Sequence, residues 1–194
     1  MSLTMKPVVL LLVSGLLAAC STAPAVENVQ ELGPDERVVV GRIEVMEPVD
    51  KFVTGIYGGS SLIVSDTLPV TKEGKLDRFR ILNSGTLAKC GFERRGCAFR
   101  IKMKKTKGYL QSIRASSTVV LVTTYYGFPL FVEIPESKDN CTYLGTVRVQ
   151  IGRGKEKTKV TVVDDFKDEG AYLSRDVAGC KPVPAIGKTV EYDI

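Results

Sequence analysis

The stretch Ala98-Phe99-Arg100-Ile101-Lys102-Met103-Lys104 alternates apolar and basic side chains without a break. A period of two belongs to a strand with one buried face, because successive side chains leave an extended backbone on opposite sides. Phe99, Ile101 and Met103 are expected to face a core, and Arg100, Lys102 and Lys104 to face outward. The period recurs in residues 37–46, where Val39, Gly41, Ile43 and Val45 oppose Arg42 and Glu44. It recurs again in 143–151, where Tyr143, Val147, Val149 and Ile151 oppose Thr146, Arg148 and Gln150. A strand over 158–163 follows the hairpin-turn composition Gly152-Arg153-Gly154-Lys155. The β-branched run 117–124 reads as one central strand buried on both faces. Shorter strands are expected at 61–65, 78–82, 109–115, 130–134 and 189–193.

Turn residues punctuate nearly all of these: Gly58-Gly59, Gly74, Gly85, Gly108, Gly127, Pro135 and Gly152. Many short strands so spaced predict a mainly β protein, an antiparallel β-sandwich. One short helix is expected near the C-terminus, over 166–175. Asp165 would cap it, and Phe166 and Leu173 would share a face, while Gly170 works against it.

Ahead of the sandwich, Lys6 and the uncharged stretch 8–17 have the layout of a secretory signal, too short to span a bilayer. A second start at Met5 would make the signal more compact. The run Leu17-Ala18-Ala19-Cys20 resembles the lipobox of bacterial lipoproteins. That resemblance implies removal of residues 1–19, acylation of Cys20, and attachment of the chain to a membrane by its lipid. Ser21, where enterobacterial lipoproteins held in the inner membrane carry aspartate, implies the outer membrane, facing the periplasm or the cell surface. Residues 20–36, rich in Ala, Pro, Glu and Gly, read as a flexible tether reaching roughly 20–25 Å. Residues 37–194 would then form a single domain. At 44% hydrophobic and 25% charged, the composition is that of a folded chain, and no second apolar segment approaches spanning length. A net charge of +5 is too small to argue for nucleic acid as a partner.

Four further cysteines, Cys90, Cys97, Cys141 and Cys180, suit two disulfides in an oxidising compartment, with three pairings open. The favoured pairing is Cys90–Cys97 across a Gly-rich turn, with Cys141–Cys180 closing a longer loop. Zinc is disfavoured because neither pair has metal-ligand spacing and the chain contains no histidine.

Tyr143-Leu-Gly-Thr-Val-Arg-Val149, Val160-Thr-Val-Val-Asp164 and the helical turn ending near Leu173 are similar to transthyretin-like or carboxypeptidase-regulatory-like sandwiches. The resemblance implies a transthyretin- or immunoglobulin-like β-sandwich and no active site. Phe131-Val-Glu-Ile-Pro135 stands where that family usually has a Leu-Pro-Pro-Gly-Lys-Tyr hairpin.

Without histidine, Ser-His-Asp and Cys-His nucleophile pairs are excluded. No Ser-x-x-Lys occurs, Leu62 breaks a nucleophile elbow at Ser60, and Pro182 breaks a phosphate loop before Gly187-Lys188-Thr189. The acidic cluster Asp164, Asp165, Asp168 and Glu169 fits helix capping and dipole pairing better than a glycosidase pair or a cation site. Neither catalysis nor a cofactor is expected. Two binding surfaces are. Arg94 and Arg95 in the cysteine loop, then Arg100, Lys102, Lys104, Lys105 and Lys107, would meet an envelope protein or an anionic lipid or glycan. The competing view of that row is a solvated face whose lysines blunt a sheet edge. Tyr125, Tyr126 and Phe128, in a segment joining two strands, would serve a glycan, lipid or small molecule, unless the rings close the core. Together these features predict a lipid-anchored accessory of an envelope assembly.

Overall fold

A computed structural model describes residues 26–46, 61–71, 73, 75–77, 86–93, 96–119, 122–150 and 158–191. At 45, 86–93, 114–119 and 122–127 only the backbone is described. The strands are β1 (Glu36–Met46), β2 (Ser61–Ser65), β3 (Thr86–Glu93), β4 (Gly96–Lys104), β5 (Gly108–Val119), β6 (Val122–Ile134), β7 (Cys141–Gln150), β8 (Lys159–Val163), β9 (Val183–Pro184) and β10 (Lys188–Thr189). One helix, α1 (Phe166–Ser174), follows β8. The strand expected at 78–82 lies outside the described residues.

The molecule is mainly β, a sandwich as the strand spacing predicts. One sheet runs β10-β6-β5-β2-β3 and the other β3-β4-β1-β7-β8, with β9 beside β7. Strand β3 belongs to both: Thr86–Lys89 pair with β2, and Cys90–Glu93 pair with β4. Val39, Ile43, Phe99, Ile101, Leu144 and Val147 meet Leu62, Leu110, Ile113, Leu130, Val132 and Ile134 in the core between the sheets. Most neighbours are antiparallel, but β1 runs parallel to β7 and β7 parallel to β9. The 94 residues between β1 and β7 (from 47 to 140) leave room for a long crossover, which period two cannot reveal.

Strand β1 is buried on both faces. Beneath α1 a second core gathers Val38, Val40, Ala98, Tyr143, Leu173 and Val177. Val26 joins it at 6% exposure, and backbone bonds tie Val29 N to Ala178 O and Ala178 N to Glu27 O. The tether expected over 20–36 is therefore docked from residue 26 onward, because Val26, Val29 and Leu32 bury apolar surface on this face.

Bulges correct the phase of two strands. In β1 and β7, Val40 faces Tyr143 but Arg42 faces Thr146, so β7 carries one extra residue. Tyr143 consequently lies under α1, and Leu144 takes the core position beside Val147. Gly145 makes this possible, with φ +113 and no room for a Cβ beside Val162 Cγ1 (2.8 Å) and Val163 O (2.9 Å). In β5 and β6, Leu110 faces Val132 but Ser112 faces Pro129, and Phe131 takes φ 48.

The run 117–124 is not one strand. The β5–β6 register closes with Val119 opposite Val122, so the chain reverses inside the β-branched run. The segments expected at 109–115 and 130–134 are parts of these two long strands, and Tyr125-Tyr126-Gly127-Phe128-Pro129 lies within β6 rather than joining strands.

Helix α1 agrees with expectation except at its cap. The carboxylate of Asp164 accepts from Phe166 N at 3.0 Å, whereas Asp165 makes no side-chain cap bond. Gly170 is required because a Cβ there would sit 2.7 Å from the Phe166 ring.

Candidate functional site

Three neighbouring strands each send an arginine toward α1. Arg42 of β1, 1% exposed, places Nη2 2.8 Å from Glu169 Oε2. Arg148 of β7 donates to Glu44 at 3.2 Å and to Asp165 at 3.3 Å. Arg100 of β4 donates Nε to Leu173 O at 2.9 Å, an end carbonyl of the helix, and Nη2 to Asp176 at 2.6 Å. Both ends of the helix are thus held to the sheet by charge. Asp165 and Glu169 of the acidic cluster serve this docking. No group of three or more Asp, Glu, His or Cys among the described residues is placed to hold a metal ion.

The basic row points outward as the alternation requires, but it is not a sheet edge: β4 lies between β3 and β1. Its charges are answered within the molecule. Arg100 is engaged with α1, and Lys102 meets Glu36 at 2.7 Å. Lys104 lies 3.5 Å from Asp66, and Lys107 lies 3.7 Å from Glu133. Lys105 Nζ donates to Pro34 O at 3.0 Å. Arg94 and Arg95 lie outside the described residues. The exposed remainder is the turn Lys104-Lys105-Thr106-Lys107, where the Lys104 and Lys107 side chains are 65% and 54% exposed. Exposed ion pairs of this length contribute at most about 1 kcal/mol, so another anion can replace either acid.

Lys102, then the backbone N–H of Gly33, hold the Glu36 carboxyl below its ordinary range. A depressed folded value makes the contribution of Glu36 to stability present above about pH 4 and lost as pH falls through the folded value. Unfolding of native protein and Glu36→Gln between pH 7 and pH 2 should show the variant weaker at neutral pH, with the gap closing in acid. A constant gap would deny the linkage. At the other sign, the Lys107 ammonium is raised by Tyr109 first and by Glu133.

Cys141 and Cys180 are joined, with Cα atoms 5.5 Å apart. Cys97 is also disulfide-bonded, and the register sets Cys90 on the adjoining strand, opposite Phe99. Cys20 lies outside the described residues. Phe128 packs against the main core, while Tyr125 and Tyr126 are placed by backbone alone, opposite Ser116 and Ala115.

The turn rests on a residue that pattern reading passed over. Arg37 is fully buried; its Nε donates to Lys104 O and its Nη2 to Thr106 O, both at 3.2 Å, and Nη2 also donates to Pro135 O. It clamps the lysine turn to the exit of β6, linking the two sheets. Burial pushes the guanidinium below its ordinary value and Asp139 pulls it back, but it stays charged. The available signal was phase: Arg37 falls in step with Val39 and Ile43, on the core face.

The chain matches no family model, and searches of curated proteins and of solved structures return no similar protein.

Proposed function

We propose that the protein is a lipid-anchored, non-catalytic accessory of a cell-envelope assembly, which presents the Lys104–Lys107 turn to an acidic partner. The observation that carries this is the turn itself: three lysines in four residues, with only long ion pairs to Asp66 and Glu133 beside two of them, on a backbone fixed by Arg37. A preordered turn loses little entropy on contact, which favours binding. Anchoring rests on the lipobox-like Leu17-Ala18-Ala19-Cys20.

Crosslinking in intact cells tests both halves. Lys104→Glu, Lys105→Glu and Lys107→Glu together should abolish a crosslinked partner that native protein retains, and moderate salt should weaken the native contact. A partner kept by the reversed variant sinks the turn as the contact. Cys20→Ser should leave the membrane fraction; a variant that stays there sinks the anchor. Capture of a glycan or lipid in place of a protein would favour a periplasmic binding module.

A further inference from the structure

The backbone of residues 26–32 is fastened to the body of the molecule at Ala178. Val29 N donates to Ala178 O at 3.0 Å, Ala178 N donates to Glu27 O at 2.7 Å, and Asn28 pairs parallel with Ala178. Among the described residues no other backbone bond joins 26–32 to the rest of the chain. The Val29 side chain lies over the residue that follows Ala178. A Cβ on Gly179, which has φ +75, would stand 2.8 Å from Val29 Cγ2. Cys180 comes next, and its bond to Cys141 of β7 ties this stretch to the sheet.

Ordering a seven-residue segment opposes its docking. Two backbone hydrogen bonds and the apolar contacts of Val26, Val29 and Leu32 favour it. A contact balanced in this way depends on a platform that is already ordered. Val177 is buried, but Ala178, Gly179 and Lys181 are exposed, so the Cys180 sulfur is the described bond that fixes the loop between Val177 and β9. With that bond open, residues 178–182 gain conformations that do not present Ala178 to Val29. Cys141 is 3% exposed while Cys180 is only half-buried, so an incoming thiolate meets Cys180.

We propose that the Cys141–Cys180 disulfide is a reversible latch on the N-terminal segment, opened by an external dithiol. One thiolate of the dithiol attacks Cys180 Sγ, and Cys141 leaves as a thiolate that takes up a proton. The second thiol of the dithiol then displaces Cys180, which is released as a thiol. The dithiol ends as a disulfide, and the protein has gained two electrons and two protons. Closed, the latch makes residues 26–32 part of the domain. Open, those residues join the chain ahead of it and lengthen its reach by about 24 Å. The latch requires neither acylation at Cys20 nor the lysine turn.

Docking and the disulfide must favour each other equally, because coupling between two equilibria is reciprocal. The full native chain and Val29→Asp are therefore equilibrated with mixtures of reduced and oxidised dithiothreitol. Alkylation and mass mapping then score the Cys141–Cys180 pair separately from Cys97. Val29→Asp replaces the methyl contact on Gly179 with a charge and should raise the ratio of thiols to disulfide at this pair about tenfold. Val190→Asp, in the small cluster with Leu68 and Leu76, should leave the ratio unchanged. No rise in Val29→Asp, or an equal rise in Val190→Asp, overturns the proposal. Amide exchange of the double variant Cys141→Ala, Cys180→Ala gives a second reading. Val29 and Ala178 should lose protection about tenfold or more while the amides of β4 stay protected. Protection kept at both residues, or lost only together with β4, overturns the latch as well. If the double variant does not fold, the redox equilibrium decides alone, since Val29→Asp keeps both cysteines.

Discussion

Arg37→Met should lower the unfolding free energy by about 3–5 kcal/mol, because charged donors contribute about 1.5–3 kcal/mol per hydrogen bond and three carbonyls lose theirs. Methionine keeps much of the volume, so the loss reports the guanidinium rather than a cavity. The acceptors, Lys104 O, Thr106 O and Pro135 O, sit on the turn between β4 and β5 and on the exit of β6. Their loss should therefore free the lysine turn first, seen as faster amide exchange there than elsewhere in the sandwich. Arg37→Lys should recover only part of the stability, since an ammonium cannot span three acceptors with the fork of a guanidinium. Denaturant unfolding of the three proteins decides it: a loss below about 1 kcal/mol in the methionine variant would mean that water satisfies those carbonyls instead.

Removal of the Cys141–Cys180 link should cost about the same. The sequence separation is 39, and chain-entropy arithmetic for a loop of that size gives about 4 kcal/mol. The double variant Cys141→Ala, Cys180→Ala is the fair comparison, because a single change leaves a thiol free to exchange. Beyond the link, the C-terminal segment is held by Ala185 N to Tyr143 O at 2.9 Å and Gly187 N to Leu144 O at 2.8 Å. If those bonds suffice, the double variant will unfold within about 1 kcal/mol of native protein and the disulfide is dispensable. The expected outcome is a clear drop, with proteolysis beginning after residue 180.

Period two made most of the strands legible, because the face toward the main core stays apolar and the alternation survives in Phe99, Ile101 and Met103. It failed where the backbone changes phase. Residues 143 and 147 are both odd, yet a bulge at Gly145 sends their side chains to opposite faces. It failed again at 119–122, where the chain reverses among β-branched residues without glycine, proline or asparagine to announce a turn. The parallel β1–β7 pair could not be read either, since order within a sheet depends on contacts distant in sequence. The charged residues were harder still. The row Arg100, Lys102 and Lys104 was correctly placed outward, but its acids come from Glu36, Asp66 and Asp176, on three separate parts of the chain. Arg37 and Arg42 are surface-type residues by composition, and only the fold reveals what each one holds.

The docked N-terminal segment has a mechanical consequence. Val26 lies six residue steps after Cys20, an extended reach of about 20 Å, so the proposed anchor at Cys20 would hold the domain beside the bilayer. A pull on the proposed anchor would enter at Val26 and pass through the bonds of Ala178 to Glu27 and Val29 into a loop that Cys180 fastens to β7. Were the chain anchored at Cys20 as proposed, the disulfide would share that load with the backbone that runs on from Val26 into β1.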